Sequence, residues 1–186
     1  MPRSPRIQTP DQIYHVINRG NNRHDVFRSD NDFAEYLYLL ERYKHKFSIK
    51  LYHYVLMPNH IHLLLEPTIE NTLARFMQGI TLAHTLRVNK KYGLVGHLWQ
   101  GRYKNILIKR ANRLLACGRY IELNPVRAKI VSHPSDYRWS SYGYLAEGKL
   151  SKIIDHDPLY TGLEKTDDKI RRRYKQFIEE GMRRES

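Results

Sequence analysis

The spacing of apolar and polar positions changes between two periods along the chain, and the segments with each period predict the fold. A β-rich stretch covers residues 13–17, and two longer apolar stretches cover 50–57 and 60–66. The Pro-Asn pair between those two stretches is typical of the turn of a β-hairpin. Residues 33–43 have apolar side chains at helical spacing, which predicts a helix between the first strand and the β-hairpin.

The rest of the chain predicts further helices around one more strand region. Residues 72–92 form a long helical pattern, and residues 97–108 indicate a strand pair or a bent strand. A helix over 111–131 is interrupted near Pro125, and a basic amphipathic helix covers 166–182. This order predicts an α+β fold, namely a ferredoxin-like split βαβ antiparallel sheet with helices on one face, plus a C-terminal helical extension.

Length and composition fit one domain with an extension. The 186 residues are 41% hydrophobic, which is enough to form a sizeable core. We expect one domain over residues 10–132 and an extension over 133–186 that packs on it. No apolar run is long enough to cross a bilayer, and the single Cys117 suits a reducing cytosol. The sequence therefore predicts a cytoplasmic protein without a membrane partner.

The charge distribution indicates a polyanionic partner. The formal net charge is +13 and the pI is about 9.8. Residues 71–121 contain ten Lys and Arg residues but no Asp or Glu. Solvated surfaces usually mix both signs of charge, whereas a tract without acidic residues avoids repulsion of phosphate. We therefore expect a nucleic acid, rather than a membrane surface, to be the partner.

His60 and His62 are the strongest candidate for a metal site. Residues two apart on a strand point to the same face, so the two imidazoles project side by side. They could form two corners of a metal site, or they could be buried, hydrogen-bonded structural side chains. Mg²⁺ or Mn²⁺ would fit only if oxygen ligands completed the shell, whereas an all-nitrogen site would favour Zn²⁺.

Three regions contain side chains suited to nucleic acid. Aromatic and basic residues alternate over 99–104, where bases could stack, although Trp99 could equally belong to the core. The polar loop 19–23 is rich in hydrogen-bond donors, or it could simply be a turn. Arg3 and Arg6 lie on an N-terminal arm that could reach into a groove. The basic C-terminal helix is more consistent with a solvated face.

Five sequence blocks, in the same order, resemble the single-tyrosine HUH transposases, and most of all the REP-associated tyrosine transposases. The blocks are YHV with RGN (14–16 and 19–21), LMPNHIHLL (56–64), LWQGRY (98–103), RYIELNPVRA (119–128) and YRWSSY (137–142). The resemblance implies a ferredoxin-like fold, recognition of single-stranded DNA hairpins, a divalent metal (Mg²⁺ or Mn²⁺) and a tyrosine nucleophile. Such a nucleophile leaves a 5′-phosphotyrosine link and a free 3′-OH.

The resemblance also assigns roles to residues of this chain. It makes Tyr120 the nucleophile, and it makes His60, His62 and Asn124 the metal ligands. Asn124 precedes Pro125, and such residues avoid the helical region, so Asn124 could instead cap the following turn. The residues we expect to contact DNA are basic, polar or aromatic: Arg3, Arg6, Arg19, Asn21, Asn22, Arg23, Trp99, Gln100, Arg102, Lys104, Lys109, Arg110, Arg119 and Arg127.

The same reasoning leaves two other functions open. A non-catalytic module that binds nucleic-acid hairpins would explain the basic tract equally well. A metal hydrolase that uses water would cleave DNA without a protein–DNA adduct. The resemblance favours a monomer over a homodimer, since the chain after about residue 145 could cover the surface that a dimer would need. It also implies association with the nucleoid.

Overall fold

A four-stranded antiparallel sheet forms the centre of the computed structural model, which describes residues 9–109, 111–155 and 167–185. Its strands are β1 (Tyr14–Arg19), β2 (Ile49–Met57), β3 (His60–Pro67) and β4 (Lys104–Leu107), in the order β2-β3-β1-β4. Helix α1 (Asp30–Lys46) connects β1 to β2, and helix α2 (Thr72–Tyr92) connects β3 to β4. This is the ferredoxin-like arrangement, so the predicted fold class is confirmed.

The predicted β-hairpin places β3 between β2 and β1. Met57 pairs with His60 across the turn, and the pairing continues to Ile49 and Pro67. Residues 61–65 are buried because β3 has a strand on each side and helices on both faces. A strand buried in this way has an almost continuous apolar sequence. The buried His62 is therefore a polar exception in this stretch, and the half-buried His60 directly precedes it.

Helices α1 and α2 pack against each other on one face of the sheet. Ser29 and Asp32 form a capping box at the start of α1, and Gly93, in the left-handed conformation, ends α2. Both ends follow from side chains and glycines that are visible in the sequence. None of the helices in the described part of the chain is long and apolar enough to cross a membrane.

Helix α3 (Ala111–Glu122) covers the opposite face of the sheet, and this adds to the predicted arrangement. The prediction that the helices share one face holds for α1 and α2 but not for α3, since Glu122 of α3 contacts His53 of β2 at 3.1 Å. The predicted interruption near Pro125 is present. One residue, Leu123, separates α3 from helix α4 (Asn124–Arg127). Pro125 lies in the first turn of α4, where a missing N–H costs little.

The C-terminal part of the chain packs on the domain at two places. Residues 139–141 run along the outer edge of β2 and exchange backbone hydrogen bonds with Tyr54 and Leu56. The buried Lys44 of α1 forms an ion pair with Asp155 at 2.5 Å. Helix α5 (Tyr142–Glu147) and helix α6 (Asp167–Glu185) pack together and on α3 through Tyr174 and Ile178.

Gly118→Ala is expected to destabilise the protein. Helix propensity alone would stabilise α3 by about 1 kcal/mol. A Cβ at residue 118 would, however, lie 2.8 Å from the ring of His53, which Glu122 holds in place. Overpacking of this kind costs about 1–3 kcal/mol. Urea unfolding measures the sign of the change in the free energy of unfolding, and Ala116→Gly, at an exposed position of the same helix, is the control for helix propensity. A Gly118→Ala variant more stable than the wild type would contradict this packing.

Candidate active site

A cleft of about 540 Å³ opens on the sheet face that α3 covers in part. His60 and His62 of β3 line it, together with Tyr120 of α3 and Asn124 of α4. Residues from β1, from the segment before β4 and from β4 itself form the rest of the wall: Ile17, Asn18, Arg19, Gln100, Gly101, Arg102 and Lys104. Candidate metal ligands, a tyrosine and cations are thus brought together.

Strand register explains how β1 and β3 supply one face of this cleft. Ile17 pairs with His62 and Arg19 pairs with His60, so these four residues point to the same side of the sheet. The rings of His60 and His62 are 5.1 Å apart between centroids. The side-by-side imidazoles predicted from the His-Ile-His spacing are therefore present.

Each of these two imidazoles is held through its Nδ1 atom. Nδ1 of His60 lies 2.6 Å from Oδ1 of Asn59. Nδ1 of His62 lies 2.8 Å from Nε2 of His15, a buried residue of β1. Neither of these two hydrogen bonds uses the Nε2 atom of His60 or of His62.

Burial keeps these histidines neutral at neutral pH. Burial, together with the neighbouring His15, His60, Arg19 and Arg127, lowers the pKa of His62 to about 2. Burial likewise lowers the pKa of His15 to about 4. The pKa of His60 is lowered by burial and by Arg19, against the effect of a hydrogen bond to Asn124. A neutral imidazole has the lone pair that a metal ligand needs.

Tyr120 stands at the edge of the cleft with 42% of its surface exposed. Its ring is 5.6 Å from that of His62 and 6.0 Å from that of His15. The guanidinium of Arg127 lies 4.6 Å above the Tyr120 ring and donates a 2.8 Å hydrogen bond to the Tyr120 carbonyl. The phenol is therefore accessible while its ring is held from one side.

Asn124 lies on the same side as Tyr120 although it precedes a proline. Leu123 keeps a helical conformation between α3 and α4, so the chain continues to turn past the interruption. The side chain of Asn124 donates a 2.9 Å hydrogen bond to the Tyr120 carbonyl and also contacts His60 by a hydrogen bond. The proximity to the histidines is thus present, but the predicted cap of the following turn is not, because the N-cap residue of α4 is Leu123 and no side-chain hydrogen bond caps that helix.

The cleft brings together three candidate metal ligands, His60, His62 and Asn124. No group of three or more His, Cys, Asp or Glu side chains in the described part of the chain is placed to hold a metal ion. His60 and His62 supply two nitrogens and Asn124 an amide oxygen, so water and phosphate oxygens would complete the shell.

Only some of the other residues predicted to contact DNA lie in the cleft. Arg19, Gln100, Arg102 and Lys104 line the cleft. Asn21, Asn22 and Arg23 are exposed on a loop outside the cleft, where the Arg23 carbonyl accepts a hydrogen bond from Asn59. Lys109 is also exposed and follows the C-terminal end of β4, whereas Lys104 is at the N-terminal end of that strand. Arg3, Arg6 and Arg110 lie outside the described residues.

Two predicted DNA contacts are corrected by the packing. Trp99 is only 8% exposed and packs near Tyr36 and His84, so it belongs to the core and cannot stack on a base. Arg119 turns away from the cleft towards α6. Its guanidinium lies 4.3 Å from the ring of Phe177. Consecutive residues of a helix point in different directions, so Arg119 and Tyr120 have different neighbours.

His15 is the residue at this site that sequence analysis missed. It lies two positions before Ile17 on β1, on the same face, and so reaches His62 diagonally across the strand pair. The available signal was the alternation of β1, which puts His15, Ile17 and Arg19 on one face. That signal becomes informative only when β1 is known to pair with β3.

Comparison with known proteins agrees with the fold. The family model described as transposase, IS200-like, matches residues 8–124. A solved structure of a REP-associated tyrosine transposase bound to a REP hairpin is similar, with a TM-score of 0.66 and 18% identity. The match covers 84% of this chain and 93% of that chain, and at this identity it supports the fold alone.

A second solved structure is a proposed transposase from Deinococcus radiodurans. It is 23% identical to this chain, with a TM-score of 0.44. The match covers 64% of this chain and 95% of the Deinococcus chain. No curated protein sequence matches the chain.

Proposed function

The chain belongs to the IS200-like transposase family, and from that premise we propose that it cuts and rejoins DNA strands through a covalent bond to Tyr120. The single observation that supports this best is the cleft itself. An exposed tyrosine lies in it beside two neutral imidazoles and an amide, with cations along its wall. A packing tyrosine would have no need of these neighbours.

In the proposed reaction the Tyr120 oxygen attacks the phosphorus of a DNA phosphodiester. The bond from phosphorus to the 3′-oxygen breaks, the 3′-oxygen gains a proton in place of the one that the phenol loses, and the 5′-phosphate stays on the tyrosine. One phosphodiester replaces another, so no external energy source is required. A 3′-OH from the strand to be joined then reverses the exchange.

His60, His62 and Asn124 are the residues that would hold Mg²⁺ or Mn²⁺ in the cleft. When bound, the ion would stabilise negative charge on the phosphate oxygens. The side chains themselves do the rest. Arg127 lies over the Tyr120 ring and holds it in place.

DNA is proposed to enter along the basic wall of the cleft. Arg19, Arg102 and Lys104 would pair with phosphates, and Gln100 could bond to a base edge. The similar solved transposase is bound to a REP hairpin, which makes a DNA hairpin the first substrate to test here. Binding to repeats of this kind would place the protein at the nucleoid. Because residues 139–141 cover the β2 edge, we propose a monomer.

The test is a denaturing gel with labelled single-stranded hairpin oligonucleotides taken from repeats that flank the coding region. The protein is incubated with them in Mn²⁺ or in EDTA. We expect a slow-migrating labelled band that depends on Mn²⁺ and disappears on protease treatment. Cleavage without this band would indicate hydrolysis by water. Tight binding without adduct or cleaved DNA would indicate a non-catalytic binding module, provided that a random pool of single-stranded DNA also gives neither product.

Arg127→Met is expected to slow adduct formation about tenfold, since it removes a cation–π contact and a charge-assisted hydrogen bond that together hold Tyr120. Single-turnover gels measure the rate. Arg138→Met is the matched control, because Arg138 also lies over an aromatic ring, at 4.1 Å from Trp139, but outside the cleft. Equal rates for the two variants would show that Arg127 has no positioning role.

A further inference from the structure

We propose that His15 is a positioning residue that fixes the tautomer of His62, so that Nε2 of His62 is the nitrogen presented to the metal. The inference rests on the proposed function, because it concerns the same cleft. It names a residue that the resemblance did not assign and gives it a specific task. It concerns hydrogen-bond direction, and not a further ligand.

The hydrogen bond of His60 establishes the pattern. The side-chain nitrogen of Asn59 donates to the Arg23 carbonyl at 3.2 Å, so the amide oxygen is the atom that faces His60. An amide oxygen only accepts, and Nδ1 of His60 must therefore carry the proton. The lone pair of neutral His60 is then on Nε2.

His15 occupies the equivalent place at His62. The two rings are joined by one hydrogen bond of 2.8 Å, between Nε2 of His15 and Nδ1 of His62. Two arrangements are possible. If His15 donates, the proton of neutral His62 lies on Nε2, and that nitrogen cannot bind a metal. If His15 accepts, Nδ1 of His62 carries the proton and Nε2 has the free lone pair.

The direction of this one hydrogen bond therefore decides whether His62 can act as a ligand. Metal-binding histidines generally donate their second ring N–H to a fixed acceptor, which sets the tautomer and the ring orientation. His15 is suited to be that acceptor because it is only 7% exposed and belongs to β1, the central strand that pairs with β3. Its position is set by the sheet and not by a mobile loop.

The same arrangement gives β1 two contributions to the cleft. Arg19 lies opposite His60, while His15 reaches His62 from two residues before Ile17. A change at residue 15 should therefore alter metal binding without removing a cation from the DNA-binding wall. This separation makes the idea testable, since metal affinity and affinity for a DNA hairpin should respond differently.

Two substitutions of His15 distinguish an acceptor from a space-filling ring. His15→Phe keeps an aromatic ring but loses the acceptor, whereas His15→Gln can place an amide oxygen near the position of Nε2. We expect His15→Phe to weaken Mn²⁺ binding about 10- to 100-fold and His15→Gln to restore most of the loss. Affinity for the DNA hairpin should not change in either variant. Titration calorimetry of the full chain with Mn²⁺ measures the first quantity.

His84→Phe is the control for replacing a buried histidine. His84 is 1% exposed, and its Nε2 atom forms a 2.8 Å hydrogen bond with the Val26 carbonyl at a place outside the cleft. A carbonyl accepts, so His84 donates there. This variant should lose stability without losing Mn²⁺ affinity.

The decisive readout is the nitrogen-15 NMR signature of the His62 ring in the metal-free wild-type protein, assigned by its absence in His62→Gln. We expect the Nδ1–H tautomer, and we expect it to change in His15→Phe. A wild-type Nε2–H tautomer, or unchanged Mn²⁺ affinity in His15→Phe, would overturn the inference even if that variant is less stable. Failure of the proposed function looks different: the wild type would then form no DNA adduct whatever the tautomer.

Discussion

Tyr120→Phe is expected to abolish the covalent DNA adduct and to leave affinity for the DNA hairpin unchanged. Phenylalanine lacks the oxygen that would attack phosphorus, so no residual adduct can form through residue 120. The ring can keep its place between His62 and Arg127, because both contacts involve the ring or the backbone carbonyl. A denaturing gel measures the adduct, and a filter-binding or anisotropy titration measures DNA affinity.

Tyr38→Phe is the matched control for the hydroxyl deletion. Tyr38 of α1 is 53% exposed and does not line the cleft, and Arg87 lies 5.8 Å from its ring, which resembles the pairing of Tyr120 with Arg127. This variant should form adduct at the wild-type rate. An adduct that persists in Tyr120→Phe would mean that another of the 14 tyrosines, or a different residue, is the nucleophile.

His60→Ala should remove metal-dependent cleavage almost completely. Charge stabilisation by a bound ion is worth several kcal/mol at a phosphoryl group, which corresponds to a rate loss of roughly a thousandfold. Affinity for the DNA hairpin should stay within a few fold, because Arg19, Arg102 and Lys104 supply the charges that would meet the backbone. Single-turnover rates over a Mn²⁺ titration measure the loss.

The exposed His45 on α1 provides the control for this substitution, and His45→Ala should cleave like the wild type. Thermal unfolding of His60→Ala separates the two interpretations that the sequence left open. A folded variant with no metal-dependent cleavage supports ligation. An unfolded variant would mean that the histidine is structural, and wild-type cleavage at every Mn²⁺ concentration would remove it from the site.

The fold was predictable from the sequence to the extent that its signals are local. The β-hairpin over 49–67 has a Pro-Asn turn between apolar stretches, and α2 has helical spacing closed by a glycine, so both were predicted with correct boundaries or nearly so. The short β4 was harder. Only Lys104–Leu107 is a strand, because the preceding residues 97–103 turn around the cleft, with Trp99 bridging to Gly20.

The residues that meet in the candidate site depend on contacts between distant parts of the chain. The position of Arg119 shows this limit: the sequence places a basic residue next to Tyr120, but its guanidinium packs on Phe177 of α6. The contact of His15 with His62 spans 47 residues of sequence. Asn124 shows a local rule that tertiary structure overrides: a residue before proline avoids the helix, yet Leu123 and Asn124 stay helical here.

The central claim is that Tyr120 carries the DNA, and peptide mapping of the adduct tests it most directly. The adduct is trapped with a hairpin oligonucleotide in Mn²⁺, digested with nuclease and trypsin, and sequenced by tandem mass spectrometry. Trypsin cleaves after Arg119 and Arg127, so residues 120–127 form one peptide with a single tyrosine. The account predicts a 5′-phosphonucleotide on Tyr120 in that peptide. A nucleotide on any other peptide would contradict it.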